Sequence, residues 1–144
     1  MTKAEIGTNV KDIMTRDVVT VKENDTLQDL LGLFKKYHYH SYPVVTLERE
    51  LVGVVNEDIV LQCLLIGSIP SAMFGRSVTM FLGEDAKGIM DPHPITISPN
   101  ASLEEAATLM IKNSINRMWV VVEKKLIGIL SKRDIINEIY RERY

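Results

Sequence analysis

Two short stretches carry the side chains best suited to gripping an anion. Ser131-Lys132-Arg133-Asp134 closes the apolar run Gly128-Ile-Leu, and Asn56-Glu57-Asp58 closes the related run Gly53-Val-Val. In the second of the two halves a hydroxyl sits where a strand gives way to a helix, so Ser131 and the first helical amides can aim donors at a phosphate. Asp134 follows on the same helix face, where a carboxylate can accept from both hydroxyls of a ribose. Lys132 and Arg133 add positive charge beside it. The same S-x-x-D spacing is that of a capping box, with Ser131 as N-cap and Asp134 at N3, and spacing alone leaves both roles open. In the first half the count from glycine to aspartate is five instead of six. Read as a missing residue, this rotates Asp58 by about 100° relative to the strand end, although Asn56 can still cap the helix.

Other reactive side chains point to less. His38 and His40 in Tyr37-His-Tyr-His40 share a face if extended, but no third ligand lies near them, so no metal site is expected. His93, between Pro92 and Pro94, reads as an extended entry to a strand. Cys63 is the single cysteine, which excludes an internal disulfide and a thiolate cluster and suits a reducing cytoplasm. No phosphate loop, dinucleotide fingerprint or nucleophile elbow is present, so no catalytic residue is assigned and no enzyme is expected.

The elements that must position these residues come twice. Displaced by 76 positions, KDIMTRDVVTV from Lys11 falls on KGIMDPHPITI from Lys87, Asn24-Asp-Thr-Leu on Asn100-Ala-Ser-Leu, and Tyr42-Pro-Val-Val on Met118-Trp-Val-Val. Each copy predicts β-α-β-β-α. Strands are expected at Val18 to Val21 and Ile95 to Ile97. Capping boxes Thr26-x-x-Asp29 and Ser102-x-x-Glu105 open helices to about Tyr37 and Asn113. Strand pairs follow at 42–46 with 51–55 and at 118–122 with 126–130, and a last helix starts near Glu57 or Lys132. The buried stripes are expected at Leu27, Leu30, Leu31 and Phe34, and at Leu103, Ala106, Ala107 and Met110. The repeats are placed at 6–66 and 83–140, joined by an apolar connector at 67–82.

A chain of 144 residues with 46% apolar and 25% charged side chains can bury a real core, and a net charge of −2 offers no footprint for nucleic acid. The uncharged run Ile59 to Gly75 is interrupted by Gly67 and Pro70, falls short of a membrane span, and is expected to pack on the protein or on a second copy.

The repeat, the I-M start, the P-V-V strand and the G-h-h-S-x-x-D-I ending together resemble a tandem pair of cystathionine-β-synthase (CBS) domains, a Bateman module. That resemblance covers about Ile6 to Ile139. It implies an α/β (α+β) fold of two pseudo-symmetric β-α-β-β-α repeats packed sheet to sheet. It further implies a non-catalytic regulatory module taking an adenosine-containing ligand such as AMP, ADP or ATP in clefts between the repeats. No cofactor is required, and the adenine nucleotide is the regulatory ligand. A homodimer and a separate, unidentified regulated protein are expected partners. S-adenosylmethionine as ligand, or a ligand-free scaffold, is the alternative.

By similarity to relatives such as the nucleotide-sensing subunit of AMP-activated protein kinase, the main site would comprise Thr8, Ile13, Tyr39, His40, Ile129, Ser131, Arg133 and Asp134. A weaker mirror site would comprise Asn56, Asp58, Glu84, Ile89, Ile115 and Asn116. There Glu84 replaces Thr8, and a carboxylate near 4 Å from a phosphate costs on the order of 1 kcal/mol in water and 4 where protein partly screens it. The mirror site is therefore expected to be empty or to hold something without phosphate.

Overall fold

A computed structural model describes residues 8–68 and 84–143 of the chain. The connector expected at 67–82 therefore lies outside the described residues except for Gly67 and Ser68, as do Ile6 and Gly7 at the expected start. The fold is mixed α+β with two three-stranded sheets and forms two compact units. The central unit spans Val19–Pro94, and the terminal unit joins Met1–Val18 to Ile95–Tyr144.

In the central unit β1 (Val21–Lys22) is followed by α2 (Leu27–Lys36), β2 (Ser41–Val45), β3 (Leu51–Asn56), α3 (Glu57–Ser68) and α4 (Ala86–Ile89). The terminal unit begins with α1 (Val10–Ile13) and continues with β4 (Thr96–Ile97), α5 (Leu103–Asn113), β5 (Arg117–Val122), β6 (Lys125–Ser131) and α6 (Lys132–Arg143). In each sheet the short first strand lies parallel to the middle strand and the hairpin partner lies antiparallel. Both helices start where their spacing predicts, with a full capping box at Thr26 and only the N-cap half of one at Ser102. Thr26 Oγ1 accepts from Asp29 N at 3.2 Å while Asp29 Oδ2 accepts from Thr26 N at 2.9 Å, and Ser102 Oγ accepts from Glu105 N at 3.0 Å. Leu27, Leu30, Leu103, Ala106 and Met110 are buried, with Leu31, Phe34 and Ala107 packed at the edge of the cores.

The compact units are not the same division as the sequence repeats. The opening segment of the first repeat belongs to the terminal unit, where Thr15 pairs with Ile129 through hydrogen bonds of 2.9 Å in both directions. The opening segment of the second repeat belongs to the central unit, where Asp91 and Val54 exchange two hydrogen bonds of 2.9 Å. These segments also supply core: Val10 and Met14 join the terminal cluster, and Ala86 joins the central one. Close approach of the segments requires glycine on the strand. A Cβ on Gly128 would meet Met14 Sδ at 2.7 Å and the Thr15 carbonyl at 3.0 Å, and one on Gly53 would strike Met90 and the Asp91 carbonyl.

Within the apolar run, Val60 and Cys63 turn into the central core, whereas Leu61 and Leu65 are exposed. Among the described residues no helix is long and apolar enough to cross a membrane.

Two glycine substitutions are expected to move stability in opposite directions. Gly128→Ala should cost about 1–3 kcal/mol by overpacking against Met14 and Thr15. Gly32→Ala, in the middle of α2 with nothing within 4 Å of the new methyl, should gain about 0.4–1 kcal/mol. Urea unfolding midpoints of the two variants check both signs.

Candidate functional site

The terminal unit brings β6 into α6 at Ser131. Ser131 Oγ accepts from Asp134 N at 3.1 Å, and Asp134 Oδ2 accepts from Ser131 N at 3.0 Å, a reciprocal capping box. The cap leaves two groups over. The Ser131 hydroxyl can still donate, and Asp134 Oδ1 makes no hydrogen bond among the described residues, so one donor and one carboxylate oxygen stand side by side. Lys132 and Arg133, at the first two helical positions, are exposed.

Strand geometry adds Ile129, which shares a face with Ser131 two residues on. Its backbone pairing with Thr15 carries Ile13, at the end of α1, alongside β6, while Thr8 stands at the other end of α1 just before its N-cap, Asn9. The same register sets Arg117 of β5 opposite Ser131. Sequence reading passed over Arg117, and the available signal was a cation opening an otherwise apolar strand. Six of the eight main-site residues thus belong to the terminal unit, and Tyr39 and His40 belong to the central one. Of the weaker set, Asn56, Asp58, Glu84 and Ile89 are central, and Ile115 and Asn116 are terminal. Ile115 packs on the terminal core, and the Asn116 carbonyl accepts from Lys132 N at 2.8 Å.

The central junction corrects the reading of a missing residue. Asn56 Oδ1 accepts from Ile59 N at 2.8 Å, so Asn56 is the N-cap, three residues after Gly53 just as Ser131 is three after Gly128. Four residues beyond each cap, Val60 and Ile135 are both buried. The helices therefore run in the same register and nothing is deleted. The length difference sits in the hairpins, since Val45 pairs with Leu51 across five residues and Val121 with Leu126 across four. Position for position, Ile59 replaces Asp134, Asp58 replaces Arg133 and Glu57 replaces Lys132. Asp58 is still about 100° round the helix from the place of Asp134, because it occupies the neighbouring position.

Charge at the two junctions is consequently opposite. Glu57 and Asp58 are exposed at the start of α3, and the Glu84 carboxylate lies over α4, where a Cβ on Gly88 would come within 2.5 Å of its Oε1. His40 is engaged by this acidic end: its Nδ1 pairs with Glu57 Oε1, and its carbonyl accepts from Glu57 N at 3.0 Å. Among the described residues no three His, Cys, Asp or Glu side chains converge to hold a metal ion. The surface depression along α5, lined by Ser102, Glu105 and Lys112, includes none of the predicted site residues.

The CBS domain family model matches residues 10–66 and 86–141. The chain belongs to the CBS domain family, as a pair of such domains. It is 31% identical over 136 residues to the CBS domain-containing protein YhcV of Bacillus subtilis, covering 93% of this chain and 88% of that one. The crystal structure of CBSX2 in complex with AMP superposes with a TM-score of 0.81 at 26% identity, covering 96% of this chain and all of that one. The CBS domain of a bacterial CNNM/CorC family Mg2+ transporter, in complex with ATP, shares the fold with a TM-score of 0.71 at 23% identity, over 94% of this chain and 89% of that one.

Cys63 supplies a check on the central unit. Its thiol is buried and free, and its pKa is raised above the ordinary 9.0, first by burial and second by the negative charge of Glu84. In the native protein a thiol-specific reagent at pH 8 should label Cys63 far more slowly than in denaturant. Below its ordinary pKa both folded and unfolded states keep the proton; as pH rises past it the unfolded thiol ionises first, so stability falls until the folded thiol ionises too. Cys63→Ala should remove that part of the alkaline slope in urea midpoints measured above pH 9.0.

Proposed function

We propose that this CBS pair is a non-catalytic regulatory sensor for an adenosine-containing ligand of the AMP, ADP or ATP type. The observation that carries the reading is the β6–α6 junction, where the Ser131 hydroxyl, the unused Asp134 oxygen and the exposed Lys132 and Arg133 form a nucleoside-phosphate set. The likeness to an AMP-bound relative supports the ligand class. In this reading Asp134 accepts from the ribose hydroxyls, Ser131 and Arg133 meet phosphate, and Thr8, Ile13 and Ile129 shape the surroundings. Tyr39 and His40 join the set through the family resemblance.

Asn56, Asp58, Glu84, Ile89, Ile115 and Asn116 form a second set that disfavours phosphate, because it carries carboxylates where the first carries cations or a hydroxyl. We further place the sensor in the cytoplasm as a homodimer acting on a separate protein. Exposed Leu61 and Ile136, at equivalent positions of α3 and α6, support self-association.

Isothermal titration with AMP, ATP and S-adenosylmethionine tests the reading. AMP or ATP should saturate at one site per chain, Asp134→Ala should weaken it about tenfold or more, and Asp58→Ala should leave it unchanged. Because Asp134→Ala also removes half of a cap, its unfolding midpoint is measured alongside. Heat from S-adenosylmethionine alone would reassign the ligand, no binding to any of the three would leave a scaffold, and two equivalent sites would overturn the asymmetry.

A further inference from the structure

Helices α3 and α6 each carry an exposed apolar ridge that belongs to neither core cluster. Counted from the caps Asn56 and Ser131, the buried positions agree: Val60 and Ile135 are both fourth and turn into the cores. The exposed positions agree as well. Leu61 and Ile136 are both fifth, 63% and 58% exposed, and Leu65 and Tyr140 are both ninth, 57% and 66% exposed. Residues three or four apart share a helix face, so the fifth and ninth positions stand together. The second position extends each ridge with an exposed charge, Asp58 on α3 and Arg133 on α6.

The ridges are alike in spacing and opposite in charge. Helix α3 starts with Glu57 and Asp58 and has no basic residue in its last turn, whereas α6 starts with Lys132 and Arg133 and ends in Arg141-Glu142-Arg143. The contrast extends to the units that carry them: the central unit has ten acidic and six basic side chains, the terminal unit nine and eleven. Two α3 ridges laid together would set carboxylate beside carboxylate, and two α6 ridges cation beside cation. Helix α3 laid on α6 sets acid against base. The surface that complements each ridge in spacing and in charge is therefore already present in the chain, on the other ridge.

We propose that a second copy of the chain docks head to tail, the α3 ridge of one copy on the α6 ridge of the other, with Asp58 beside the partner's Arg133. This inference rests on the homodimer placed above and assigns its arrangement. When each copy gives its α3 to the other's α6, both ridges of both chains are covered and no open end is left to extend into a filament. The apolar ridges supply the holding contact, and the charges act by penalising the like-with-like arrangement. Arg133 carries five donors, so a contact with Asp58 leaves others for a phosphate.

Sedimentation equilibrium without nucleotide compares the unmodified protein with Asp58→Arg, with Arg133→Asp, with an equimolar mixture of the two and with the double variant. Each single variant should raise the dimer dissociation constant about tenfold or more, since it sets like charges at both contacts. The mixture and the double variant should return close to the unmodified protein, because acid again faces base at every contact. Recovery on mixing also excludes misfolding as the cause of the loss. The arrangement is overturned if the single variants associate as the unmodified protein does, or if the mixture stays as weak as its components; the homodimer then stands. An unmodified protein that is monomeric at every concentration removes both and gives the ridges to a different protein.

Discussion

The backbone pairing of Thr15 with Ile129, and of Asp91 with Val54, is the constraint on which both units depend. Each sheet has a first strand of two residues, too little to make an independently stable sheet of its own. The paired segments bring a side chain into each core that the repeat itself does not provide, Val10 and Met14 in one unit and Ala86 in the other. A fully buried valine contributes about 1.5–3 kcal/mol, comparable to a sizeable share of a small domain's net stability. The recurring Ile-Met and the strand glycine are two sides of one contact: the methionine covers the glycine, and a methyl on the glycine would leave it no room.

That contact also explains which parts of the fold were legible in the sequence. Helices α2 and α5 announce themselves by an N-cap hydroxyl and an apolar stripe, reciprocated by Asp29 in α2 alone, and both start where the spacing places them. The helices α1 and α4, four residues each, are too short to show a period and were not anticipated. The first strand was expected over Val18 to Val21, but only Val21 and Lys22 have partners, Val44 and Val45, because a strand is defined by what it pairs with. Which sheet an opening segment completes is likewise invisible in the K-x-I-M pattern. Ser131 and Asp134 could be singled out because cap and anion site share one spacing. The sequence marks Arg117 only as a cation opening an apolar strand, and its place opposite Ser131 arises from hairpin register.

Register also decides what the difference between the junctions means. A deletion at the helix start would have turned the same carboxylate to a different face of the helix. Equal spacing from glycine to cap to buried residue shows instead that the scaffold is conserved between the repeats and the side chains are exchanged. Ile59 at the place of Asp134 gives up both the carboxylate and half of the capping box, and Asn56 holds the helix by a single bond.

Helix electrostatics gives this exchange a direction. The N-terminus of a helix carries partial positive charge, so Glu57 and Asp58 at the start of α3 stabilise it, by about 0.3–1 kcal/mol each at an exposed site. Lys132 and Arg133 at the start of α6 do the opposite, and Asp134 at N3 offsets only part of their charge. Folding alone therefore selects the acidic version of the junction and disfavours the basic one. A bound anion reverses that preference, because it answers the helix end, the two cations and the Ser131 hydroxyl at once. The basic junction is the one whose sequence is poorly explained by stability and well explained by an anion, which is the ground on which we propose α6 and not α3 as the place for a ligand phosphate.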